Sequence, residues 1–176
     1  MACRATLSGG SFSRVTERTR TYSLGDPLAF LEDVAELSGL QVMRKMVDGE
    51  LPQPPIAETL GFRLIAIEPG RAVFEGEPAE FHYNPIGTVH AGLASTLLDS
   101  AMGCAFVTTL EAGRGWTTLE LKANFTRPMT VETGTVRCIG SVVHPGRRVA
   151  TTEARLEDLH GRLLAHASST ILVLDD

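Results

Sequence analysis

The sequence predicts an α+β domain in which an antiparallel sheet wraps one long helix, with a helical extension ahead of it. Three observations carry this prediction. The stretch from Val89 to Leu110 is apolar, small or hydroxylic except for His90 and Asp99, the composition of a core helix. Before and after it the apolar residues recur at every second position, the period of half-buried strands. Short turn-forming clusters separate those segments, so successive strands run antiparallel.

The bounds set by composition agree. A chain of 176 residues with 43% hydrophobic content suits one globular domain with a substantial core, plus an arm. The formal net charge of −5 offers no general attraction to nucleic acid or to an anionic membrane. Cys3, Cys104 and Cys138 are odd in number and form no C-x-x-C pair. This argues against a disulfide scaffold and a zinc site and favours a reducing, cytoplasmic setting. No uninterrupted apolar run reaches the roughly 18 residues of a spanning helix.

Residues 1–25 are rich in Ser, Thr and Arg, with Glu17 the one acid. The composition overlaps with that of transit peptides but lacks their amphipathic repeat, and an extended arm explains it equally well. So polar a segment offers little apolar surface, and its removal is expected to leave stability nearly unchanged. Residues 26–54 form a helical extension and linker. Asp26-Pro27 reads as a cap and first helical position, with Leu28, Leu31, Val34 and Ala35 on one face. Ser38-Gly39 breaks that helix, Leu40 to Val47 restarts it, and Leu51-Pro52-Gln53-Pro54-Pro55 reads as an extended connector.

Residues 55–176 form the main domain. Phe62, Leu64 and Ala66 alternate with Arg63, Ile65 and Ile67, Pro69-Gly70 turns the chain, and Arg71 to Glu77 returns as the second strand of a hairpin. Pro85 and Gly87 mark the turn that feeds the central helix, and Thr88 can cap it. After the helix, Trp116 to Arg127 is the clearest strand, with Leu119, Leu121, Ala123 and Phe125 opposing Thr118, Glu120, Lys122 and Asn124. Three more strands follow, from Thr135 to His144, Arg148 to Glu157 and Arg162 to Val173, joined by turns at Pro145-Gly146 and His160-Gly161.

Asp99 is the one carboxylate in the central helix. An ionised carboxylate among apolar side chains costs free energy unless it is paired, hydrated or raised in pKa, so a polar cavity is expected beside it. Other chemistry is excluded by inspection. The chain has no G-x-S-x-G elbow, no phosphate loop, no G-x-G-x-x-G after a strand and no H-E-x-x-H. His160 and His166 lack partners at ligand spacing and read as surface residues, so no metal and no cofactor are expected.

The pattern Asn84, Gly87, His90-Ala91-Gly92, Asp99, then Thr118 and Asn124-Phe125-Thr126-Arg127-Pro128, resembles the hotdog-fold acyl-CoA thioesterases of the phenylacetic-acid-degradation (PaaI-like) type. The likeness covers about residues 55–173. It implies hydrolysis of an acyl-CoA thioester, subunits paired through their sheets as a homodimer and further as a tetramer, and active sites at the subunit interface.

By the same resemblance Asp99 is the catalytic carboxylate, acting as general base or as nucleophile. Ala91 stands where the family has glycine and offers the backbone N–H that polarises the thioester oxygen. His90 is the neighbouring hydrogen-bonding residue, Asn84 positions water or the loop, Thr118 holds the attacking water, and Gly92 adjoins the substrate. The CoA phosphates need arginines, for which Arg127, Arg147 and Arg148 are candidates. Two alternatives stand beside hydrolysis. One is a non-catalytic acyl-CoA-binding module. The other is an enoyl-CoA hydratase, whose Asp and His positions around Asn84-Pro85-Ile86 are occupied here by His82 and Gly87.

Overall fold

The computed structural model describes residues 18–24, 26 and 29–174. Three short helices precede the sheet: α1 (Ala29–Val34), α2 (Gly39–Val47) and α3 (Pro55–Leu60). The expected start of the first helix at Pro27 and Leu28 lies outside the described residues. Ser38 and Gln41 close a capping box at the start of α2, each side chain bonding the other's backbone N–H. The apolar stripe Val42, Met43 and Met46 of α2 is buried, and the helix packs on the first strand. α3 begins at Pro55, the last residue of the expected extended connector. Proline is tolerated in a first helical turn, where its missing N–H breaks no intrahelical bond. Gly61, in the left-handed region at φ 70°, ends the helix.

The strands of the described residues are β1 (Phe62–Glu68), β2 (Arg71–Gly76), β3 (Gly115–Phe125), β4 (Val136–His144), β5 (Val149–Asp158) and β6 (Leu163–Leu174). Their order in one sheet is β1-β2-β4-β5-β6-β3, and every neighbouring pair is antiparallel. β3 therefore occupies one edge, and its ladder partner among these strands is β6. The opposite edge strand, β1, is flanked by α2 and α3.

The central helix, α4 (Ala91–Val107), lies against β2, β4 and β5. It buries Leu93, Ala94, Leu97, Leu98, Ala101, Met102, Ala105 and Phe106. Gly140 on β4 makes this approach possible, because a Cβ there would sit 2.2 Å from the Ala101 carbonyl oxygen. The helix is shorter than the expected Val89 to Leu110, and its cap is not Thr88. The Thr88 hydroxyl accepts from Asn84 Nδ2 at 3.1 Å, which commits it to the preceding turn.

β3 departs from strict alternation. A bulge between Thr118 and Glu120 inserts Leu119 as an extra residue, leaving it 57% exposed. Trp116 and Thr118 before the bulge thus share the helix-facing side with Leu121 and Ala123 after it. Thr118 is not on the polar face that the alternation placed it on.

The described residues of the arm touch the domain through two arginines. Arg20 reaches across Phe81 and bonds the carbonyls of Glu58 and Thr59, and Arg18 pairs with Glu80. The end of the polar segment is thus docked on the domain, through a cation and an aromatic face rather than through apolar burial.

Candidate active site

The turn before α4 is built by one side chain. Asn84 Oδ1 accepts the N–H of Ile86 at 3.0 Å and that of Thr88 at 3.4 Å, while its backbone N–H donates to Thr88 O at 2.8 Å. Asn84 is therefore spent on holding the loop. The turn delivers His90 as the N-cap of α4. Its backbone N–H donates to His82 O at 2.7 Å, and its ring Nδ1 accepts the Gly92 N–H at 2.8 Å.

That bond explains the His-x-Gly spacing. A Cβ on Gly92 would lie 2.8 Å from His90 Nδ1, so only glycine lets the imidazole fold over the N–H it caps. With Nδ1 accepting, Nε2 is the ring nitrogen left to donate, on an exposed residue. The neighbouring Ala91 N–H, first in the helix, donates to no acceptor among the described residues. First-turn N–H groups lack intrahelical partners and sit at the positive end of the helix dipole, where they bind a developing oxyanion.

Ala91 opens on a cleft of about 270 Å³ lined by Val89, Ala94, Phe125, Met129 and Leu164, with Arg127 at its polar side. Arg127 Nη1 donates to Leu163 O at 2.6 Å, which fixes the stem and leaves other donors of the guanidinium fork for an anion. Arg147 borders a different cleft, with Phe106, Leu110 and Arg114, at the far end of α4. Arg148 is in the same turn. Within one chain, Arg127 stands apart from Arg147 and Arg148.

Asp99 is half-buried and is not part of the Ala91 cleft. Thr118 Oγ1 donates to Asp99 Oδ1 at 3.0 Å. The carboxylate's cost is thus met by one hydroxyl and by partial access to water. Oδ2 receives no bond among the described residues and is free to take a proton or to attack. The pKa of the adjacent Cys104 thiol is pushed up to about 12, by burial first and by the Asp99 charge second. It remains a thiol at neutral pH.

The remaining candidates fall away from the site. Both ring nitrogens of buried His82 are engaged, Nδ1 with the Ala79 N–H at 2.9 Å and Nε2 with Leu60 O at 2.8 Å. It offers no free base for hydration chemistry. His160 and His166 are exposed, and no cluster of three or more His, Cys, Asp or Glu among the described residues could hold a metal. Alternation in the sequence missed the Leu119 bulge that turns Thr118 inward. It missed Met129 as well, whose carbonyl accepts the Val89 N–H at 2.9 Å and whose side chain lines the cleft. Neither residue carries a local sequence signal.

Comparison with known proteins points to one family. Residues 86–165 match the model of the thioesterase superfamily. The chain is 26% identical to 1,4-dihydroxy-2-naphthoyl-CoA hydrolase of Listeria monocytogenes, over 67% of this chain and 94% of that protein. It is 26% identical to human acyl-coenzyme A thioesterase 13, over 74% and 93% respectively. Among solved structures, the N33D mutant of the phenylacetic acid degradation protein PaaI from Thermus thermophilus superposes with a TM-score of 0.62. The two are 30% identical, over 68% of this chain and 99% of that one.

Proposed function

The chain belongs to the thioesterase superfamily, in its PaaI-like branch, and is an acyl-CoA thioesterase, and we propose that Asp99 of one subunit and the Ala91 N–H of a second form each of its active sites. One observation carries this reading. Residues 91 and 99 of the same α4 are separated by about 12 Å, at roughly 1.5 Å of rise per residue. A single carbonyl cannot reach both, yet the chemistry needs an oxyanion donor and a carboxylate at one carbon. Two-fold pairing of helices beside the open edge of β3 supplies them from opposite chains.

In this site the Ala91 N–H polarises the thioester C=O. Asp99 Oδ2 either takes a proton from the water that adds to the carbonyl carbon, or attacks that carbon itself. In both routes the C–S bond breaks with its electron pair going to sulfur, and CoA leaves as a thiol once protonated; on the second route water then cleaves the acyl–Asp99 anhydride, releasing the free acid and restoring the carboxylate. Thr118 holds the carboxylate in place, His90 and Gly92 hold the oxyanion donor, and Asn84 holds the turn. Arg127 is positioned for a CoA phosphate. We assign residues 55–176 as the catalytic domain, 26–54 as its helical extension and 1–25 as the arm. The functional unit is a homodimer, paired further into a tetramer. No helix among the described residues is long and apolar enough to cross a membrane. The free thiols Cys104 and Cys138 fit the reducing cytoplasm, where we place the enzyme.

Mixed dimers test the shared site. Ala91→Pro removes the N–H but suits the first helical position, and His90 already has the extended φ −63°, ψ 137° that a following proline requires. Asp99→Ala removes the carboxylate. Each homodimer should be nearly inactive. Equal amounts refolded together give one intact site in half of the dimers, and so about a quarter of wild-type activity. Proven mixed dimers no more active than the average of the parents refute the shared site.

A further inference from the structure

Residues 18–24 lie outside the stretch matched by the family model, yet Arg18 and Arg20 are tied to the turn whose His82 carbonyl holds the His90 cap. The Arg20 guanidinium lies 3.9 Å from the centroid of the Phe81 ring. It also donates to Glu58 O at 3.1 Å and to Thr59 O, carbonyls at the end of α3 that lack helical partners. Phe81 is the middle residue of a single 3₁₀ turn, Glu80–His82. The next residue, His82, is buried, and its ring bridges Ala79 N–H to Leu60 O. The His82 carbonyl accepts the His90 N–H. A short series of contacts therefore runs from Arg20 through Phe81 and His82 to the cap in front of Ala91.

We propose that Arg20 is a positioning residue for thioester hydrolysis: it clamps the Glu80–His82 turn against the end of α3 and so fixes the His90 cap and the Ala91 N–H. This rests on the role of Ala91 given above. The guanidinium suits the task because it stacks flat on a ring while its fork reaches two carbonyls, which an ammonium cannot do together.

Charge adds a second link. His82 Nδ1 accepts the Ala79 N–H, so only a ring unprotonated at that nitrogen keeps the turn closed. Burial above all, and the Arg20 charge with it, hold the His82 pKa below its ordinary value, against the opposing pull of the Leu60 carbonyl. The charged side chains on the elements around His82 are Arg20, Glu58 of α3, and Glu77 and Glu80 beside or within the turn, with Glu80 paired to Arg18. Of these, Arg20 is the one whose charge acts on the ring. Arg20 thus holds the turn in place and adds its charge to the burial that lowers the His82 pKa.

The test uses the full chain with phenylacetyl-CoA and hexanoyl-CoA, CoA release being followed by a thiol reagent. Arg20→Ala should lower kcat about tenfold, the scale of a small displacement in a positioned group, with KM nearly unchanged. Its activity should fall off at a higher pH on the acid side than that of the wild type, because removing the cation eases protonation of His82. Millimolar guanidinium chloride should restore part of kcat in Arg20→Ala, and Arg20→Lys should remain impaired. If Arg20→Ala does not fold, Phe81→Leu decides, since it removes the stacked ring and should lower kcat in the same direction. A wild-type kcat and acid limb in Arg20→Ala, or a lowered melting temperature with kcat unchanged, overturns the clamp. Asp99→Asn run in parallel separates the two failures. If it is impaired while Arg20→Ala is not, the clamp alone is wrong; if it turns over like the wild type, the site itself is misassigned.

Discussion

Asp99 stands out in the sequence as a lone carboxylate, while its hydrogen-bond partner is visible only in the fold. Its isolation in an apolar helix signals a functional carboxylate, and the Thr118 hydroxyl at 3.0 Å is what makes the position tolerable. Asp99→Asn keeps the shape and the bond from Thr118 but loses the basic oxygen. It should fold and bind acyl-CoA while turning over about 10²-fold more slowly, the scale of a positioned base. Equal rates for the two proteins in a thiol-release assay would rule out the assigned role. A second buried carboxylate has a purely structural task. Asp158, 4% exposed, accepts from the N–H groups of His160 and Arg162 at 2.9 Å and from Arg162 Nε at 2.6 Å. Burial alone would raise its pKa, but the Arg162 and His160 bonds and the Arg162 charge together hold it below the ordinary 3.8. A carboxyl whose folded pKa is depressed contributes stability above its unfolded pKa and loses it as pH falls through the folded value. Asp158→Asn should therefore lower the melting temperature at neutral pH and narrow the gap between neutral and strongly acidic solution. Parallel melting curves for the two proteins across that acid range would show that Asp158 is not the group responsible.

At the scale of elements, the N-terminus of α4 depends on a glycine that has no conformational need to be one. Gly92 lies inside the helix, and its place is set by the His90 ring that folds back over it. Gly92→Ala gains helix propensity worth about 1 kcal/mol. It also displaces the imidazole and forfeits a cap worth about the same. Stability should then change little while turnover falls, because Ala91 lies between His90 and Gly92, the two residues the lost cap held together. Thermal melting and kcat measured on the same sample check this, and an unaltered kcat would separate the cap from the chemistry. β3 shows the complementary case, where an irregularity serves the site. Its bulge at Leu119 is braced by Ser169 Oγ, which donates to Glu120 O at 2.8 Å, and it turns Thr118 toward Asp99. Regular alternation would have pointed that hydroxyl away from the carboxylate.

For the whole molecule, the decisive feature is the asymmetry of the two sheet edges. β1 is flanked by α2 and α3, whereas β3 has no element on its outer edge among the described residues and exposes Leu119 and half of Phe125. An unprotected edge of eleven residues, with Asp99 beside it, suits the proposed pairing with a second copy of the chain. Sedimentation should show a dimer or tetramer at working concentration, with a melting temperature that rises with protein concentration. An active monomer in the same assay would refute the shared site.

What the sequence determined by itself is the part of the protein governed by local rules. Period-two patterning and turn residues placed β1, β2 and β4 to β6 within a residue or two. An apolar run marked α4, and its single carboxylate marked the position proposed as catalytic. These features need only neighbours along the chain. Tertiary structure decided what depends on residues far apart in sequence. It placed β3 beside β6 at the edge, moved the helix cap from Thr88 to His90 because Asn84 had claimed the threonine, and turned Thr118 inward through a bulge. It also docked Arg20 on Phe81 and separated Arg127 from Arg147. Each outcome is a competition among partners for one donor, acceptor or surface. Such competition is resolved only when the folded chain brings all the contenders together.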